Sequence, residues 1–379
     1  MSDLQAPARP YIGGQALLEG VMMRSPHSFA IVCRRKSGEL VVRERPIADE
    51  RKGVRALPLV RGIVTLVESL KLGSEALRFS SELFEKDMEA EDAAEEAKKK
   101  SLASKASSML SALSLPVIFL ASLPADHQPT VPDEPKERSR LAQLIMIAIP
   151  LALFIAAPQA AANGINKVAN LGLDIRSAQF AAITGLMKLS IVIGYLSLIR
   201  RVPEIRRVFQ YHGAEHKTIS TYEAQEDLVV ENARAKTTLH PRCGTTFLVM
   251  VALVSMVVFA AIGPMLPRIG PAGGFGENLG LFLMKLPFIP VIAGITYEIQ
   301  RVFARYCTTG PLRALLWPGF LVQKITTIEP DDDQLEVALA SLRATLWREE
   351  GAAIAPEQVT QRTFPSYQAL ATDTGYAKA

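Results

Sequence analysis

Apolar residues in this chain collect into long charge-poor runs, and the charged residues collect between them. Four runs, 141–162, 177–199, 246–266 and 279–297, have the roughly 20-residue length that a helix needs to cross a hydrocarbon core. A fifth, 106–124, is charge-free but interrupted by Pro116, and it suits a re-entrant or interfacial segment better than a full crossing. Nearer the start, the β-prone stretches 29–34 and 39–43 flank Arg35-Lys-Ser-Gly38, which predicts a hairpin with Cys33 packed in one strand as a small hydrophobe. Over 57–84 the charges Arg61, Glu68, Lys71, Glu75, Arg78 and Glu82 fall on one helical stripe, as expected of an amphipathic helix on a bilayer or against other helices. Leu335, Leu339, Leu342 and Leu346, behind an acidic first turn, predict a docking helix.

These patterns define a mainly α, multipass transmembrane helical protein with four strong spans and a small N-terminal β-hairpin. The expected divisions are 1–56 (glycine-rich motif and hairpin), 57–84 (amphipathic helix) and 85–140 (charged, Pro-rich linker). They continue with 141–199 (first membrane pair), 200–245 (a histidine-bearing loop), 246–299 (second pair), 300–350 (helical segment) and 351–379 (a disordered tail).

Composition agrees, with 49% hydrophobic residues and only 21% charged. The net charge of +4 is modest, and the basic residues sit beside apolar runs rather than among aromatics, which argues against a nucleic-acid partner. Arg200, Arg201, Arg206 and Arg207 follow the second run and Arg301, Arg305 and Arg313 follow the last, so the positive-inside rule puts the histidine loop and both termini in the cytoplasm, with the bacterial inner membrane as the expected location. Cys33, Cys243 and Cys307 have no framework spacing and fit a reducing compartment. The first 28 residues hold no apolar stretch of the kind a secretory signal requires. Lys188, near the middle of its run, either snorkels or marks a function, and Lys285 is expected to snorkel.

Candidate chemistry is concentrated in Tyr211-His-Gly-Ala-Glu-His-Lys-Thr218 and His240-Pro-Arg-Cys-Gly-Thr245, which hold three of the five histidines and one of the three cysteines. His212 and His216 are four apart, so a helix would project both imidazoles from one face. Glu215 lies beside them in the His-x-x-Glu-His order, in which two histidines bind zinc and the glutamate serves as general base. His240 and Cys243 have knuckle spacing. The four ligands His212, His216, His240 and Cys243 together would close a structural site for a divalent metal, with zinc the best match; three would leave a position for water or substrate. Glu223 and Glu298 are further carboxylates within reach in sequence, although Glu298 better suits a pair with Arg301 one turn on. Gln15 and Glu19, four apart, would share a face of a helical turn, with Glu19 an acid, base or ligand turned toward the metal loop; the same segment also reads as a glycine turn and an apolar plug.

Four separated motifs, Gly13-Gly-Gln-Ala-Leu-Leu-Glu-Gly-Val-Met-Met-Arg24, Phe209-Gln-Tyr-His-Gly-Ala-Glu-His-Lys-Thr218, His240-Pro-Arg-Cys-Gly-Thr245 and Thr326-Thr-Ile-Glu-Pro-Asp331, resemble the uncharacterised bacterial YqhQ-like membrane family. The resemblance covers most of 11–347. It departs at Thr246, where a serine is common, and in the material around 85–140. That family is described as a domain of unknown function and a predicted metal-dependent enzyme, so the resemblance implies metal ligation through His212, His216, His240 and Cys243, with Glu215 alongside. Two functional expectations follow: a metal-dependent hydrolase acting at the cytoplasmic membrane face, with Glu215 as base, or a membrane scaffold or assembly factor whose zinc is structural. A transporter is the weaker third expectation, since no broken span is evident beyond Pro150 and Pro290. Besides the lipid bilayer, no protein partner or substrate is named by the sequence.

Overall fold

A computed structural model describes residues 9–47, 53–96, 152–270, 274–307, 310–350 and 359–377. Its strands are β1 (Gly13–Leu17), β2 (Gly20–Arg24), β3 (Ser28–Arg34), β4 (Leu40–Pro46) and β5 (Thr360–Phe364). The main helices are α1 (Val60–Glu96), α2 (Ala157–Val168), α3 (Ala178–Ile199), α4 (Pro203–Glu223), α5 (Val230–Arg234) and α6 (Gly244–Ile262). They continue with α7 (Phe275–Lys285), α8 (Phe288–Tyr306), α9 (Trp317–Thr326), α10 (Asp332–Glu350) and α11 (Tyr367–Ala371).

The strands form one antiparallel meander in the order β1-β2-β3-β4-β5, and both of its faces are covered. Because successive strand residues point to opposite faces, the nearly continuous apolar runs of β2 to β4 divide into two cores. Val21, Met23, Ala30, Val32, Leu40 and Val42 pack with Tyr211 and Ala214 of α4 and with Leu335, Leu339 and Leu342 of α10. Leu17, Met22, Phe29, Ile31, Cys33 and Val41 pack with Leu72, Ala76 and Phe79 of α1. The predicted hairpin is therefore β3–β4 with Cys33 buried as packing, inside a larger sheet. Gln15 and Glu19 are not on a helical turn: Gln15 is in β1, and Glu19, at φ 51°, forms half of the two-residue turn into β2.

The amphipathic segment is helical from Val60 onward, and its apolar side covers the sheet. Its start packs on α8, where Arg61 pairs with Glu298, so the expected partner Arg301 is displaced. The predicted docking helix is α10, buried on nearly every side. The tail is not uniformly disordered, because β5 pairs with β4 and Tyr376 is sealed between Trp347 and Phe364, donating its hydroxyl to Glu44 at 3.2 Å.

The expectation of four strong spans is corrected. Among the described residues two helices are long and apolar enough to cross a membrane, Ala178–Ile199 and Gly244–Met265, with mean hydropathies of 1.8 and 2.6. A third candidate, Gly276–Lys285 with Phe288–Tyr306, is bent by 47°. The break falls at Leu286 and Pro287, where proline's missing N–H interrupts the helical ladder. Of 141–162, only the part from 152 is described, as a π turn running into α2, and 106–124 lies outside the described residues.

Candidate metal centre

Helix α3 ends at Arg200, and Pro203 opens α4 at its first turn, where a fixed φ and an absent N–H cost nothing. The motif is helical over 211–218, as the four-residue spacing of its histidines implied, and only His240 and Cys243 lie on the connection into α6. Gly213 looks like a weakness in this helix until its surroundings are seen. A Cβ there would run into the carbonyl oxygen of Ile328, so the glycine lets the 326–331 strand of backbone lie directly on α4. The last sequence motif follows that track: Ile328 N–H donates to Phe209 O at 3.0 Å, and Glu329 pairs with the buried Lys217.

The imidazoles of His212 and His216 stack edge-on with ring centroids 4.4 Å apart. His212 Nδ1 bonds Thr326 O at 2.8 Å, and His216 Nδ1 bonds Thr238 O. A carbonyl oxygen only accepts, so both Nδ1 atoms carry the proton and both Nε2 atoms face inward. Cys243 Sγ lies 3.1 Å from His212 Nε2, and the three candidate ligand atoms of His212, His216 and Cys243 all lie within 4.8 Å of one another. Cys243 is also the N-cap of α6, its sulfur accepting from Thr245 N at 3.4 Å. His216 Nε2 is buried with no hydrogen-bond partner among the described residues.

Charges in the cluster are coupled. Burial opposes ionisation of Cys243, but attraction to His212 and His216 outweighs it and holds the thiol well below its ordinary range. Burial likewise opposes a charged His212, and the neighbouring Cys243 overcomes it, raising the imidazole to about 9. The Glu215 carboxyl, 6% exposed, is pushed up by burial against the pull of the two imidazoles. Its side chain is backed by Gly14, where an added Cβ would come within 2.7 Å of it.

Two expected site residues are placed elsewhere. His240 has its ring 5.7 Å from that of His216, but its Nε2 is turned to Glu223 at 3.3 Å and its Nδ1 takes the Arg242 N–H. Glu19 pairs with Arg207 and accepts from the Tyr211 hydroxyl at 3.2 Å, which ties the β1–β2 turn to α4 rather than reaching the thiol. The sequence reading missed Gln323. Fully buried in α9, it accepts the His240 N–H and donates to His240 O and to Thr246 Oγ1, each at 2.8 Å, fixing the turn that delivers Cys243. An amide isolated among apolar residues of 317–325 was the available signal.

Sheet, buried α4 and apolar helices together define a mainly helical protein with two to three candidate membrane spans and a His/Cys cluster where the two parts meet. The chain belongs to the family described as "Protein of unknown function (DUF1385)", which matches residues 57–348. It is 30% identical over 350 residues to "Uncharacterized protein YqhQ" of Bacillus subtilis (strain 168), covering 91% of this chain and 95% of that protein. No solved structure matches.

Proposed function

We propose that the chain is a metal-dependent hydrolase of the bacterial inner membrane, working at the cytoplasmic face, with His212, His216 and Cys243 as the ligands of one divalent ion, best matched by zinc. The observation that carries this reading is the outer bonding of the histidines: both Nδ1 protons are spent on backbone carbonyls, so both Nε2 atoms converge on the thiol, and His216 Nε2 is buried without a partner. Ligating histidines are oriented in this way. The donor set of two imidazoles and a thiolate fits zinc. Once bound, such an ion supplies Lewis acidity. Glu215, buried beside the cluster and with its carboxyl pushed up from the ordinary range by burial, is placed to accept and return a proton. Glu19, paired with Arg207, has no part in the proposed chemistry.

A cytoplasmic placement is supported by Arg200, Arg201, Arg206 and Arg207 at the end of α3. The ring of His240 beside His216 supports a second reading, in which His240 leaves Glu223 to become a fourth ligand and the zinc is structural, within a scaffold or assembly factor. Elemental mass spectrometry of the detergent-purified protein tests both: about one zinc per chain is expected for wild type and almost none for His216→Ala. Glu215→Gln then separates them. Under the hydrolase reading it keeps the metal and loses at least about a hundredfold in turnover; under the structural reading it is silent, and His240→Ala loses the metal. Full hydrolytic turnover by a metal-loaded Glu215→Gln protein would remove the hydrolase proposal.

A further inference from the structure

A second polar centre lies among the apolar helices. Lys188 of α3 and Lys285 of α7 line the same partly open pocket of about 20 Å³, together with Thr184, Ser255, Met256 and Phe259. Lys188 and Ser255 stand near the midpoints of the two helices most suited to cross a membrane. Lys188 Nζ donates to Ser255 Oγ at 3.0 Å. Lys285, 7% exposed, donates to Gln159 Oε1 at 3.0 Å and sits 5.2 Å from the centre of the Phe259 ring. Both ammonium groups are thus engaged by side chains of neighbouring helices.

Each ammonium has three N–H donors, and the oxygens named above occupy one apiece. Among the described residues no carboxylate forms an ion pair with either lysine. Two cations that share a cavity in apolar surroundings repel each other and lack hydration, an arrangement that persists when a counter-charge compensates it. The break between α7 and α8 falls beside this pocket: Lys285 ends one half-helix, and Phe288 starts the other. Broken spans of this kind are where membrane proteins build midplane sites. The space open to a guest, about 20 Å³, is that of a particle little larger than water, which favours a monatomic anion over sulfate, phosphate or a lipid headgroup.

We propose that Lys188 and Lys285 hold one small monovalent anion of halide size between α3, α6 and α7, with Ser255 and Thr184 lining its site. One halide against two ammonium groups reduces the local charge from two to one without placing an acidic side chain in the apolar layer.

The test uses the full chain in detergent, moved into sodium gluconate, whose anion is too large to enter. Titration with sodium chloride at constant ionic strength is expected to raise the melting temperature saturably, by roughly 5 °C. Lys285→Met is expected to abolish the rise, and Lys188→Met to weaken the apparent affinity at least tenfold. If a lysine variant fails to fold, broadening of the chloride-35 resonance by wild-type protein, reversed by bromide, reads the same site without mutation. His216→Ala must keep the chloride response. A response lost there but kept in both lysine variants would place the anion at the His/Cys cluster and overturn the proposal, as would identical melting curves in chloride and gluconate together with no broadening.

Discussion

Two polar centres are served by the same helix: Cys243 caps the start of α6, and Ser255 lies some three turns further on, about 18 Å along its axis. They are wired oppositely. In the His/Cys cluster the outward bonds consume donors, because backbone carbonyls take both Nδ1 protons, and what remains inside, once a cation displaces the proton that His212 Nε2 shares with the thiolate, is a set of lone pairs. In the lysine cavity the outward bonds go to side-chain oxygens, and what remains inside is a set of N–H groups. The groups left over after neighbouring bonds are made, more than residue types alone, decide whether a buried centre favours a cation or an anion.

The comparison breaks most visibly if one centre can be emptied only by disturbing the other. His216→Ala is expected to reduce bound metal from about one per chain to less than about a tenth while leaving the chloride response intact, and metal analysis beside thermal titration checks both. Next come the two glycines that hold α4 in place. Gly213→Ala drives a methyl into a backbone carbonyl and should destabilise the fold by about 2 kcal/mol despite alanine's better helix propensity. Gly14→Ala meets a side chain instead. It should displace Glu215 and depress turnover with metal content unchanged, an outcome read by paired activity and metal assays.

Gln323→Leu removes the amide that satisfies both backbone groups of His240. It is expected to cost about 1–3 kcal/mol in thermal or denaturant unfolding and to loosen metal binding through the Cys243 turn. The smallest effect is expected from Asp174, which bridges Arg176 and Arg268 between the connections that follow α2 and α6. A bond to Arg176 pulls its carboxyl down to about 2, so the folded form binds its proton later than the unfolded chain. Its contribution is therefore present above about pH 4 and lost as pH falls toward 2. Being partly exposed, it is worth less than about 1 kcal/mol, and the pH dependence of Asp174→Asn unfolding should differ from wild type only in that acidic window.

The parts legible in the sequence were those with a local signature. The turn at Gly38 announced the β3–β4 hairpin, the charge stripe from Arg61 to Glu82 announced α1, and the four-residue spacing placed His212 and His216 on one face. Long-range partners were not legible. Nothing near Thr360 states that it will pair with Glu44, so the tail read as disordered, and nothing near Glu298 states that Arg61 will outcompete Arg301. Of the four proposed ligands three are brought together. The preference of His240 for Glu223 depends on α4 ending beside the knuckle, which spacing cannot reveal. The fourth apolar run read as a single span because hydropathy averages across Pro287, whereas a helix does not.

The pairing of β4 with β5 also counts crossings. Residues 46 and 360 belong to one sheet, and a sheet cannot straddle a bilayer, so the chain between them crosses any membrane an even number of times. Helix α4 lies against that same sheet, so the excursion that leaves after Glu223 must return to the side it left. Two candidate spans are described there, α6 and the broken α7–α8 pair, an even number if each is one passage. The sheet would then act as a topological clasp: a single inserted or deleted crossing in that excursion would strand α4 and the His/Cys cluster away from the strands that support them.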